Sequence, residues 1–135
     1  VPGIVLVALQ KRAPASQIGT YYGGTPLLNL GGEISDFGDT AALISSLDMV
    51  VSVDTSAAHL AAAMRKPTWI TLSYAHDRFW MPNRNNSPWY PTVRLFRQVA
   101  PRRWEPVVAG IVKLLRRPPG EGLKHDVMKL CNTRS

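Results

Sequence analysis

Residues 49–72 constrain the fold of this chain more than any other stretch. An apolar run, Met49-Val50-Val51-Ser52-Val53, meets Asp54-Thr55-Ser56 and passes at once into Ala57-Ala58-His59-Leu60-Ala61-Ala62-Ala63-Met64. The first run is short, continuous and β-branched, which suits a strand buried on both faces; the second is built of strong helix formers. Arg65 and Lys66 complement the negative end of that helix's dipole, and Pro67 stops it. Thr68-Trp69-Ile70-Thr71-Leu72 then reads as another buried strand. A strand, a helix and a second strand in close succession form a parallel, right-handed crossover unit.

The remaining segments continue the same alternation. Residues 4–9 are a short apolar run ending in Gln10-Lys11-Arg12, and read as a strand. After a connection rich in Gly, Tyr and Pro, Leu27-Leu28-Asn29-Leu30 reads as a brief strand closed by Gly31-Gly32. Asp39 or Thr40 is a plausible N-cap for a short helix over residues 41–47. Residues 73–91 form a long loop dense in aromatic and turn residues, and 93–97 read as a last strand. Residues 104–115 carry Val107, Val108, Ile111, Val112, Leu114 and Leu115 at helical spacing, ended by Arg116-Arg117-Pro118-Pro119-Gly120. The expected fold class is α/β: a partial Rossmann-like parallel sheet of about five strands with helices on both faces. Strand C-termini then share one edge, where open sheets of this kind bind ligands.

Composition bounds the function classes. With 135 residues there is room for one domain, expected over 1–117, followed by a basic tail at 118–135 expected to be mobile. The chain starts Val1-Pro2-Gly3 without an initiator Met, so the domain is expected to be N-terminally incomplete. No apolar run of about eighteen residues occurs, so no transmembrane helix is expected. The lone Cys131 can form no internal disulfide and fits a reducing, cytoplasmic setting. The formal charge of +7 is uneven: residues 1–93 hold six Lys/Arg against six Asp/Glu, and 94–135 hold ten against three. Such a basic end could meet nucleic acid or an anionic surface; the plain alternative is a solvated helix face and tail.

The strongest site candidate is the turn Asp54-Thr55-Ser56-Ala57-Ala58-His59. A helix N-terminus after a buried strand offers free N–H groups and the positive end of the dipole to an anion. Thr55 and Ser56 can donate hydroxyl hydrogen bonds to phosphate, and His59 in the first turn can add another donor. The plain alternative has Asp54 or Ser56 capping the helix and His59 packing against the sheet. Gln10 and Lys11 could assist a diphosphate, or simply cap a strand. Leu30 and Gly31 could offer backbone groups to a nucleobase, or simply form a turn. Trp80, Trp89 and Tyr90 could stack on a base or sugar, or bury the loop on its own domain. His59, His76 and His125 show no metal spacing, and no nucleophile elbow, P-loop or Cys-x-x-Cys occurs. Asp54 and Asp77 could form a carboxylate pair, for which sequence gives no distance.

The string from Leu47 to Ala63, Leu-Asp-Met-Val-Val-Ser-Val-Asp-Thr-Ser-Ala-Ala-His-Leu-Ala-Ala-Ala, resembles the donor site of glycosyltransferase family 9, the heptosyltransferase-like enzymes. More closely, it resembles the C-terminal domains of bacterial tetratricopeptide-repeat proteins that carry this module. Asp36-Phe37-Gly38-Asp39-Thr40-Ala41-Ala42-Leu43-Ile44, Lys66-Pro67-Thr68-Trp69-Ile70, Ser87-Pro88-Trp89-Tyr90-Pro91 and Arg94-Leu95-Phe96-Arg97-Gln98 match the same group in order.

The resemblance implies a GT-B architecture, with the donor nucleotide bound by the C-terminal domain. It implies that Asp54, Thr55, Ser56 and His59 hold the diphosphate, that Gln10 ends the preceding strand, and that no metal cofactor is needed. Ser56 stands where the family motif has Gly, and Asp77-Arg78-Phe79-Trp80 departs from an Asp-Trp-x-Trp-like pattern. It also implies an earlier strand in the middle of the sheet and an N-terminal acceptor domain. Without that strand, two sheet edges are exposed or re-paired, which favours self-association. Three functions follow: a module that takes a nucleotide-diphosphate sugar for transfer to an acceptor hydroxyl, a non-catalytic nucleotide-binding or interaction module of the same fold, and, remotely, a nucleic-acid binder using the basic run from Arg94 to Arg117.

Overall fold

The computed structural model describes residues 4–9, 27–75, 78–116 and 129–130, the last pair through its backbone. Strand β1 spans Leu6–Ala8 and pairs in parallel with β2, Leu27–Asn29. Helix α1 spans Phe37–Ser45, β3 Val50–Val53, α2 Ser56–Ala63 and β4 Thr68–Leu72. Strand β5 spans Val93–Arg97, helix α3 Glu105–Leu115 and β6 Lys129–Leu130. Single 3-10 turns lie at Gly31–Glu33 and Arg78–Trp80. The second sheet is ordered β5-β4-β3-β6, with every pairing parallel. The expected α/β class with parallel strands is what the chain adopts.

Alternation along β3 and β4 builds the two faces of the sheet. Val50 joins Ile44 of α1 and Ala57 and Ala61 of α2 in one apolar cluster. Its neighbour Val51 joins Trp69 of β4 with Val107 and Ile111 of α3 in another. Successive strand residues point to opposite faces, so α1 and α2 cover one side and α3 the other. Residues in and around β1 reach both clusters: Val7 and Leu9 pack in the first, and Ile4 lies against the second. A third cluster, holding Ala58 and Ala62 of α2 with Ile70, Leu72, Trp80, Val93 and Leu95, closes the far end.

Local chemistry sets the helix ends, and in one case moves them. Helix α1 starts earlier than expected because Asp36, not Asp39 or Thr40, is its N-cap: its Oδ1 accepts the Asp39 N–H at 2.8 Å. Asp39 reciprocates by accepting the Ser35 N–H at 2.9 Å, so two acidic side chains meet two exposed donors. Helix α2 ends at Ala63 with Met64 as its C-cap, and the next residue, Arg65, has a left-handed φ of 57°. There the Lys66 N–H donates to Ala61 O and the Arg65 N–H to Ala62 O, each at 3.0 Å. That double closure fixes the turn into Pro67 and β4. Lys66 extends its Nζ to Ser45 O at 3.1 Å, joining the C-terminal ends of α1 and α2.

The segment after β4 is organised despite its length. The Arg97 guanidinium on β5 donates to the carbonyls of Trp80, Met81 and Arg84. Burial lowers its pKa from the ordinary arginine value. The Leu95 N–H donates to Asn85 O at 2.8 Å, and Asn86 forms an antiparallel bridge with Arg94. The loop thus folds back along the outer edge of β5, an edge that would otherwise invite pairing.

Candidate functional site

The β3–α2 turn is the centre of the site. Thr55 is the N-cap of α2, with extended backbone, and its Oγ1 accepts the Ala58 N–H at 3.4 Å. Neither Asp54 nor Ser56 serves as the cap, because the helix begins at Ser56 and only Thr55 stands one residue before it. Ser52, buried at the end of β3, lies 3.1 Å from the same Thr55 oxygen. Thr71 on β4 donates to Ser52 O at 3.3 Å. Hydroxyls from two neighbouring strands therefore hold the turn. Ser56 itself is exposed at the first helical position, while Ala57 and Ala58 are buried behind it.

Asp54 has a different task from capping. Its Oδ1 is 3.1 Å from His59 Nε2, and its Oδ2 accepts the Trp80 Nε1–H at 2.8 Å. The other ring nitrogen of His59, Nδ1, is 3.2 Å from the Tyr90 hydroxyl. The imidazole also packs within 5.2 to 5.7 Å of the rings of Phe79, Trp80 and Tyr90, centroid to centroid. His59 thus packs against the aromatic loop and not against the sheet. Trp80 is fully buried, so its ring anchors the loop to the domain. Phe79 and Trp89 lie outside it, 39% and 59% exposed, with rings 6.1 Å apart and inclined by 26°.

Asp54, Thr55, Ser56 and His59 lie together at the β3–α2 turn. Gln10 and Lys11 lie outside the described residues, as do His76, Asp77, His125 and Cys131. Leu30 and Gly31 enter a 3-10 turn in which the Leu30 N–H donates to Ala8 O and the Gly31 N–H to Asn29 Oδ1. Their carbonyls accept from Glu33 and Ile34. These backbone groups are engaged within the fold, which is what a plain turn requires. Among the described residues no three His, Cys, Asp or Glu side chains gather to hold a metal ion.

Sequence reading did not foresee that Asp54 joins His59 to the loop, nor the Arg97 clamp. The available signal was the density of aromatic residues after β4, but nothing in spacing pairs a Trp with an Asp twenty-six positions away.

The family model for glycosyltransferase family 9 (heptosyltransferase) matches residues 10–98, from the end of the β1 segment through β5. Fold and turn therefore belong to a glycosyltransferase, and the chain is a member of glycosyltransferase family 9. No curated protein and no solved structure matches it. No described helix is long and apolar enough to cross a membrane.

Proposed function

We propose that this chain binds the nucleotide-diphosphate sugar donor of a glycosyl-transfer reaction, with the diphosphate seated on the β3–α2 turn. The observation that supports this most is the build of the turn. The N–H groups of Ser56 and Ala57 stand before the helix's own hydrogen-bond ladder begins, at the positive end of its dipole. No bulky side chain grows from Ala57 or Ala58, and the Ser56 hydroxyl is exposed beside them. Donors fixed in this way stabilise charge that develops on the departing diphosphate without reorganising.

In this reading Asp54, Thr55, Ser56 and His59 form the donor set, with Gln10 and Lys11 assisting and no metal required. His59 reaches a phosphate oxygen by exchanging its Asp54 or Tyr90 contact for the ligand. The chain then acts as the C-terminal, donor-binding half of a two-domain GT-B enzyme, in the setting of the tetratricopeptide-repeat proteins it resembles. The acceptor hydroxyl and the general base belong to the other domain. Transfer forms a new bond at the sugar's anomeric carbon and breaks its bond to the diphosphate, which leaves with the negative charge.

Protein-observed NMR with UDP, GDP, ADP and their sugar conjugates tests the proposal. Saturable shifts are expected at Thr55, Ser56 and Ala57, lost in Asp54→Ala/His59→Ala and weakened in Ser56→Ala. A well-folded chain silent across the whole panel, with no binding or hydrolysis by the two-domain enzyme, would sink it.

A second reading, a non-catalytic module of the same fold, draws on one observation: both Asp54 oxygens and both His59 nitrogens already have partners within the domain. Retained nucleotide binding without turnover in the two-domain protein would select it.

A further inference from the structure

The two sheets share their cores but not their hydrogen bonds. Val7 and Leu9 pack in the cluster of Val50, Ala57 and Ala61, and Ile4 packs against the cluster of Val51 and Trp69. Among the described residues main-chain pairing nevertheless stops at β1 on one side and at β3 on the other, apart from β6. β6 sits in that break: it pairs in parallel with β3, Val50 with Lys129 and Val51 with Leu130, and lies against β1.

The direction of the backbone groups makes this break a site. Ala8 O accepts the Leu30 N–H, so Ala8 turns its peptide groups toward β2. In a parallel ladder alternate residues face alternate neighbours, so Val7 faces the break. The Val50 N–H donates to Pro67 O on the β4 side, so Val51 faces the break from the opposite bank. Val7 and Val51 are 1% and 4% exposed. Buried peptide groups on both banks require hydrogen-bond partners, and an extended strand between them supplies a matching row.

We propose that the break between β1 and β3 is a strand-acceptor site, and that the chain's own C-terminal segment around Lys129–Leu130 is its occupant. Lys129–Leu130 is then a structural strand between the two sheets, and the site takes the same strand when it is supplied in trans. Among the described residues the β6 register covers Val50 and Val51 of β3.

Amide hydrogen exchange on the full chain tests this, in a Cys131→Ser background that prevents intermolecular disulfides. Val51 faces β6, so its register partner Leu130 turns its own N–H away from β3, and Lys129→Pro is the change that removes a ladder donor from β6. The Val51 amide is expected to exchange about tenfold faster or more in that variant, with Ile70 in β4 unchanged. Adding a synthetic peptide of residues 121–135 is expected to restore Val51 protection, and the same peptide carrying proline at 129 is not. Unchanged Val51 exchange in Lys129→Pro, equal acceleration at Ile70, or equal rescue by both peptides would overturn the proposal. A measurement on the unmutated backbone covers failure of the proline variant to fold. Interstrand nuclear Overhauser effects between Val50–Val51 and Lys129–Leu130 are expected in the full chain, and their absence overturns the proposal as well.

Discussion

The two sheets of this domain solve the same problem in opposite ways. In the β3–β4–β5 sheet every neighbouring pair is joined by main-chain hydrogen bonds, and the loop after β4 seals the outer edge. Polar side chains there are tied across elements: Asp54 to α2 and the loop, Arg97 to three loop carbonyls, Gln98 to the Tyr74 N–H. Among the described residues the β1–β2 sheet has one ladder of three residue pairs, and Leu28 in β2 is half exposed. It is held to the rest by apolar packing at Val7, Leu9 and Ile4. Packing is tolerant of small displacements, whereas a ladder fixes register. The candidate site therefore stands on the half whose geometry is fixed.

The largest test of that contrast is Trp80→Ala. Removing a fully buried indole from the third cluster is expected to cost about 3–5 kcal/mol in denaturant unfolding. The matched change Leu28→Ala, on exposed β2, should stay within about 0.5 kcal/mol of the parent. If the two changes cost the same, the loop is no part of the core and the contrast collapses. Asp54→Ala sharpens it at the next level. The buried Trp80 N–H loses its acceptor, so a loss of about 1–3 kcal/mol is expected. A double-mutant cycle with Trp80→Phe checks this: the Asp54 effect should shrink once no indole N–H is left. The smallest effect should come from Arg65→Gly. A non-glycine residue at φ 57° carries backbone strain, so the change is expected to raise stability by about 0.5–1 kcal/mol, seen as a higher midpoint with unchanged m.

The same contrast runs through what could be read from the chain. β4 and β5 begin and end where their apolar runs do, because Pro67 and the turn residues around 91 punctuate them clearly. The β3–α2 turn was also legible, since a β-branched run passing into alanines has one physical reading. The cap was misplaced by one residue, because Asp54, Thr55 and Ser56 are all good caps and only the chain's path selects among them. The start of α1 was missed for a related reason: Phe37-Gly38 looks like a turn until the reciprocal Asp36 and Asp39 bonds are known. Long-range polar links, such as Trp80 to Asp54 or Arg97 to the loop, leave no local period. The strand at Lys129–Leu130 was equally hidden, because its reason lies in the edges of β1 and β3 and not in its own residues.

The Asp54–Trp80 hydrogen bond has one further consequence. Trp80 is a buried indole whose N–H is held by a carboxylate that also holds His59, in the first turn of α2. A ligand that draws His59 away from Asp54 must alter the electrostatic surroundings of that indole, and with them the colour and yield of its fluorescence. Trp69, Trp89 and Trp104 stand elsewhere, so replacing those three with phenylalanine would leave a single emitter wired to the turn. The protein would then report occupancy of its own site by light, without a label and without the reaction having to run.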